Sequence, residues 1–177
     1  DGDHAGLDEL LRDVPTTPIE ARQAPDDVIT LFSSGGTTGR PKAIAFSHDQ
    51  VFARLESRGH AVRLPPAPRQ LSMVRLHANY GLQVTMHAFA SGAAVVGATP
   101  IEALAQAIAR HRVNALVIPP AILAQFVAGL PRDAVPFPSL GYVEVSGGRL
   151  TGRLARHAIA RVSPHIHVLY GSTECGV

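Results

Sequence analysis

The stretch EALAQAIARHRVNALVIPP, residues 102–120, decides the fold. From Glu102 to Arg112 the apolar residues Leu104, Ala107 and Ile108 recur at helical spacing and mark one face of an amphipathic helix. Ala115 to Ile118 then runs apolar without a break, the pattern of a strand covered on both faces, and Pro119-Pro120 ends it. The same alternation extends outward in both directions. Downstream, a helix over Ile122 to Ala128 stops at Gly129, a loop with Pro131, Pro136 and Pro138 leads to a strand over Tyr142 to Val145, and a helix over Thr151 to Val162 precedes a last strand over Ile166 to Tyr170. Upstream, strands over Leu71 to Leu76 and Ala93 to Gly97 flank a helix over Leu82 to Ala90. Before them come strands over Val28 to Ser33 and Ala43 to Phe46 and a helix over Asp49 to Arg58, whose start is marked by Ser47 and Gln50 at capping-box spacing. The alternation predicts an α/β fold, a mainly parallel sheet with helices on both faces. Ligands of such sheets sit at the carboxyl ends of the strands.

Composition bounds what such a fold does. A chain of 177 residues, 46% of them hydrophobic, buries one substantial core and is short for two full domains. Residues 1–27 carry eight acids against Arg12 and Arg22, a net charge of −6, so the remainder carries +8 within the total of +2. The first 27 residues, with Pro15, Pro18 and Pro25, read as an acidic linker or docked arm, and the core begins at Val28. A basic body suggests an anionic ligand. Nucleic acid is disfavoured, because the arginines are scattered and no aromatic-rich strand offers a stacking platform. No run reaches the length of a membrane span, and the single Cys175 excludes an internal disulfide, so a soluble cytoplasmic protein is expected.

The strongest local feature is SSGGTTGRPK, residues 33–42, where a strand runs into a loop dense in glycine and hydroxyl residues that closes on Lys42. Gly35, Gly36 and Gly39 let backbone N–H groups approach an anion, while Ser34, Thr37 and Thr38 add donors and Lys42 adds charge. Arg40-Pro41 before Lys42 and Ala43 after it exclude a Walker A loop. By composition alone such a loop also serves as a flexible linker; the flanking strands weigh against that. Ser47-His48-Asp49 is contiguous at a helix start and forms no catalytic triad. His165 and His167 share a strand face without a third ligand nearby, and a structural role is expected for them.

SSGGTTGRPK resembles the phosphate-loop signature of the adenylate-forming superfamily, which includes acyl- and aryl-CoA synthetases, nonribosomal peptide adenylation domains and luciferases. Two further motifs follow in the family's order: Ser146-Gly147-Gly148-Arg149-Leu150, similar to its adenine-contacting turn, and Tyr170-Gly171-Ser172-Thr173-Glu174, similar to its Tyr-Gly-x-Thr-Glu motif. His77-Ala78-Asn79-Tyr80-Gly81 resembles the helix start beside the acyl pocket, with Gly81 one position later than in many relatives.

The resemblance implies ATP as cosubstrate and Mg²⁺ as cofactor. Ser34, Gly35, Gly36, Thr37, Thr38, Gly39 and Lys42 would hold the β- and γ-phosphates. Tyr170, Ser146, Gly147 and Gly148, with Gly171 and Ser172, would flank the adenine and the α-phosphate. Thr173 would bond the α-phosphate, Glu174 would carry the metal, and His77 or Asn79 would contact the acid. Thr173, Glu174 and Lys42 would be the catalytic groups.

The implied reaction joins a carboxylic acid to AMP with release of pyrophosphate and passes the acyl group to a thiol, that of CoA or a carrier protein. Amino-acid-activating relatives pair the substrate ammonium with an acid after the His77 region, and no acid occurs between Glu56 and Glu102, so an acyl or aryl acid is expected. The family's ribose-binding Asp and its C-terminal lid domain with a catalytic Lys normally follow the Tyr-Gly-x-Thr-Glu motif, so residues 28–177 would form a partial N-terminal domain without that lid. The alternative is a catalytically inert nucleotide-binding or scaffolding remnant of the same fold.

Overall fold

The computed structural model describes residues 9, 12, 14, 23–34, 42–97 and 99–173. Strands β1 (Val28–Ser34) and β2 (Lys42–Ser47) pair antiparallel, with Ser34 opposite Lys42 and Phe32 opposite Ile44. They form a ribbon separate from the main sheet. A seven-residue link between the strands dictates this, because a parallel return needs a crossover of a dozen residues or more. The loop that resembles a phosphate cradle therefore joins a hairpin, whereas the other two motifs follow parallel strands. Helix α1 (His48–Ala61) starts as expected: the Gln50 backbone N–H donates to Ser47 Oγ at 3.4 Å, and the Ser47 N–H donates to Gln50 Oε1 at 3.0 Å.

The parallel sheet has the order β4-β3-β5-β6-β7, built from β3 (Arg69–Ser72), β4 (Ala94–Val96), β5 (Ala115–Val117), β6 (Tyr142–Val145) and β7 (Ile166–Val168). Connecting them are α2 (Asn79–Ala90), a 3₁₀ turn over Ile101–Ala103 leading into α3 (Leu104–Arg110), α4 (Pro120–Gly129) and α5 (Gly152–Arg161). Strand β3 ends at Ser72, earlier than its apolar continuation suggests. The Ser72 hydroxyl accepts from the Val74 N–H at 3.1 Å and turns the chain there. Pro119-Pro120 both ends β5 and opens α4, where proline at the first helical position loses no hydrogen bond.

Because side chains alternate along a strand, the register divides the sheet into two unlike faces. Leu71, Leu116, Val143 and Val145 pack with Leu104 and Ile108 of α3, Leu123 and Phe126 of α4 and Ala158 of α5 into the main apolar core. The other face carries Gln70, Ala115, Val117, Tyr142 and Glu144, all buried, and meets α1 and α2 through Arg58, Tyr80, Val84 and His87.

Candidate active site

The polar face ends in a cleft of about 210 Å³ at the carboxyl ends of β6 and β7. One wall is the first turn of α2, with Asn79, Tyr80 and Gln83; the other is made of Ser146, Gly147, Gly171, Ser172 and Thr173. Hydrogen bonds tie the walls together. Asn79 Nδ2 donates to the Thr173 carbonyl at 3.5 Å, Arg54 Nη1 donates to the same oxygen at 3.1 Å, and Gln83 Nε2 donates to Asn79 Oδ1 at 3.0 Å. Arg54 also lies 4.1 Å over the Phe46 ring, so one guanidinium on α1 connects the hairpin that carries the glycine-rich loop with the segment that carries Thr173.

The α2 wall stands where it does because residue 81 is glycine. A Cβ there would lie 2.0 Å from the Arg75 carbonyl oxygen, so the turn before α2 closes against bare backbone. Gly147 has φ +83°, a conformation that side chains resist, and a Cβ on it would meet no atom of the described residues within 4 Å. It borders both the cleft and a neighbouring recess of about 640 Å³ lined by Gly148, Arg149, Leu150, Val168, Leu169, Tyr170 and Gly171. Tyr170 is 94% exposed there. Apolar side chains, two adjacent glycines and an exposed aromatic ring suit a flat heterocycle.

The cleft rests on a buried ion pair. Glu144, fully buried on β6, accepts from Arg58 Nη2 at 2.8 Å on Oε1 and 2.6 Å on Oε2. It also accepts from the Tyr142 hydroxyl at 2.8 Å on Oε2 and from the Tyr80 hydroxyl on Oε1. Burial, then the negative charge of Glu144, pushes both tyrosines well above their ordinary range, so each stays protonated and donates. Burial and the Arg58 charge hold His87 below its ordinary value and therefore neutral. The Tyr142 ring stacks on His167 of β7 with centroids 4.5 Å apart, a structural contact for that histidine.

The expected site residues thus fall into groups. Asn79, Ser146, Gly147, Gly171, Ser172 and Thr173 meet around the cleft, and Gly148 and Tyr170 border the recess. Ser34 and Lys42 face each other at the mouth of the hairpin, with Lys42 exposed. His77 is exposed in the turn before α2 and lines neither cavity. Gly35, Gly36, Thr37, Thr38, Gly39 and Glu174 lie outside the described residues. Sequence reading missed Arg58, Tyr80, Gln83 and Glu144. The available signals were an acid inside the apolar strand Tyr142 to Val145 and an arginine at the core-facing spacing Val51, Leu55, Arg58, Val62.

The profile of the family described as AMP-binding enzyme matches residues 2–177. The chain belongs to that family. Among similar curated proteins, enterobactin synthase component E of Escherichia coli is 28% identical over 169 residues, which cover 90% of this chain and 31% of that protein. The salicyl-AMP ligase / salicyl-S-ArCP synthetase of Mycobacterium tuberculosis is 28% identical over 157 residues, covering 85% of this chain and 27% of its own. Among solved structures, o-succinylbenzoate coenzyme A synthetase of Bacillus subtilis in complex with ATP and magnesium ion shares the fold, with a TM-score of 0.78 at 22% identity over 94% of this chain and 34% of that one. The chain spans about a third or less of these curated relatives. The α/β fold and the adenylate-forming superfamily inferred from the motifs are those of these proteins.

Proposed function

We propose that the chain is part of the ATP-binding core of an enzyme that activates a carboxylic acid as its acyl-adenylate. One observation carries this reading: three segments distant in sequence, beginning at Asn79, Ser146 and Tyr170, converge on adjoining cavities at the strand ends. In the reaction a carboxylate oxygen attacks the α-phosphorus of ATP, the new O–P bond replaces the bond to the bridging oxygen, and pyrophosphate leaves. A thiol of CoA or of a carrier protein then displaces AMP.

The recess beside Gly147 and Tyr170 takes the adenine, and Thr173, held by its carbonyl to Arg54 and Asn79, presents its hydroxyl to the α-phosphate. Lys42 and the loop that precedes it take the β- and γ-phosphates. A magnesium ion would neutralise phosphate charge. Its carboxylate in this reading is Glu174; Glu144 does not fit that role, since both its oxygens are engaged by Arg58, Tyr80 and Tyr142. Residues 28–177 then form a partial core that a lid domain completes, with residues 1–27 as a linker or docked arm. The end of that arm packs on α1, where the His48 and Asp49 N–H groups donate to the Asp27 and Pro25 carbonyls at 3.2 and 3.0 Å.

The acid end of the cleft is the α2 wall. Its groups there, Asn79, Tyr80 and Gln83, are neutral donors and acceptors, and the carboxylate behind them is already paired with Arg58. An α-ammonium would lack a counter-charge among the described residues, whereas an aryl or acyl acid needs none. The relative named as a salicyl-AMP ligase supports an aryl acid first.

The test is ATP–pyrophosphate exchange by the full-length protein that carries these residues, with salicylate, benzoate, hexanoate and the amino acids supplied separately. Exchange with one of the three acids and not with amino acids is expected. Exchange with amino acids alone would overturn the substrate assignment, and no exchange with any acid would point to an inert nucleotide-binding remnant.

A further inference from the structure

Glu144 lines neither cavity, yet four contacts converge on it from three elements: two from Arg58 on α1, one from Tyr80 on α2 and one from Tyr142 on its own strand. Stability alone does not explain the arrangement. Removing both charges from water is costly, and apolar residues of similar volume would hold α1 on β6 as well or better. The cost is raised here because Arg58, 2% exposed, keeps Nε and Nη1 without a hydrogen-bond partner among the described residues. What an apolar pair could not do is fix a hydroxyl.

The Tyr80 hydroxyl is the group so fixed, and it is the one partner of Glu144 that also borders the cleft. Ser146 lines the same cleft from the opposite wall. Tyr142, held by the other carboxylate oxygen, stacks its ring on His167.

We propose that Glu144, clamped by Arg58, is a positioning residue for the acid substrate: it pins the Tyr80 hydroxyl so that the tyrosine ring forms a fixed wall of the acid end of the cleft. Neither Glu144 nor Tyr80 lines the recess assigned to the nucleotide. This rests on the reading that the α2 wall receives the acid.

The test measures dissociation constants by calorimetry on the full-length protein, for ATP and for salicylate, benzoate and hexanoate, following whichever acid binds the native protein most tightly. Two variants are compared: Tyr80→Phe, which removes only the hydroxyl, and the double change Arg58→Met with Glu144→Gln, which removes both charges without stranding either. Both are expected to weaken the acid about ten-fold or more. ATP affinity should stay within about two-fold, and Tyr80→Phe should melt close to the native protein. Unchanged acid affinity, or acid and ATP affinities that fall together with the melting temperature, would overturn the positioning role while leaving adenylation standing. A native protein that binds ATP but none of the acids would overturn the assignment of the α2 wall and this proposal with it. One that binds neither would overturn the adenylation reading itself.

Discussion

The two faces of the parallel sheet are equally buried and chemically opposite. One holds Leu71, Leu116, Val143 and Val145 against α3, α4 and α5; the other holds Gln70, Tyr142 and Glu144 against α1 and α2. On the first face stability comes from area and shape, which are local and roughly additive. On the second, Arg58, Tyr80, Tyr142 and Glu144 are joined in one hydrogen-bonded network, so losing one member strands another. The cleft opens at the end of the second face. The contrast explains why: a site that must fix hydroxyls and amides needs a polar floor, and an apolar face supplies none.

Breaking the contrast should give the largest effect. Glu144→Ala leaves the Arg58 charge buried and unpaired and is expected to cost about 3–5 kcal/mol. Adding Arg58→Met should recover most of that loss, because the stranded charge is gone. Leu116→Ala on the apolar face is expected to cost about 2–5 kcal/mol through the cavity it leaves, and the same Arg58→Met change should recover none of it. Urea unfolding of the singles and doubles measures both cycles. Equal coupling of Arg58→Met to the two sites would show that the faces are not energetically distinct.

A smaller effect is expected where the polar face meets the turn before α2. Gly81→Ala would set a methyl group 2.0 Å from the Arg75 carbonyl oxygen, so α2 or the turn must shift, at a cost of about 1–3 kcal/mol. Gly92→Ala, in the turn after the same helix, meets no atom of the described residues within 4 Å and bears the strain of its φ of +69°. Thermal melts should rank Gly81→Ala below Gly92→Ala. The reverse order would mean that the close approach at Arg75 is absent in solution.

Much of this was legible in the sequence, and the failures have physical causes. The strand over Tyr142 to Val145 and the cap at Ser47 are read correctly because each depends on a few contiguous side chains. Met73 and Val74 continue the apolar run past the end of β3, and only the Ser72 hydroxyl bond shows where the chain turns. The helix over residues 102–112 begins as a 3₁₀ turn and ends before Arg112, whose φ of +48° no periodicity forecasts. Motif matching found Asn79, Ser146, Gly147 and Thr173, which line the cleft. It missed Arg58 and Glu144, because their meaning lies in a contact across 86 positions that neither local pattern reveals.

The smallest effect concerns His87, which sits on the polar face near Arg58 and Glu144. It is 4% exposed, and Nδ1 has no partner among the described residues. Burial and the Arg58 charge lower its pKa below the ordinary 6.5, with Glu144 opposing them more weakly. In the unfolded chain the imidazole takes up a proton as the pH falls through that ordinary value, while in the folded protein it stays neutral until lower pH. The unfolded state therefore binds more protons in this window, and stability falls as the solution is acidified. The apolar face has no such titrating group, so Leu116→Ala should shift the whole stability profile without changing its slope. His87→Gln should flatten the profile below about pH 6.5 by up to one proton's worth of slope. The measurement is urea unfolding at intervals from about pH 7.5 to 5. An identical slope in the native protein and His87→Gln would show that the histidine already titrates in the folded state, and that the polar face is wetter around Arg58 than its packing indicates.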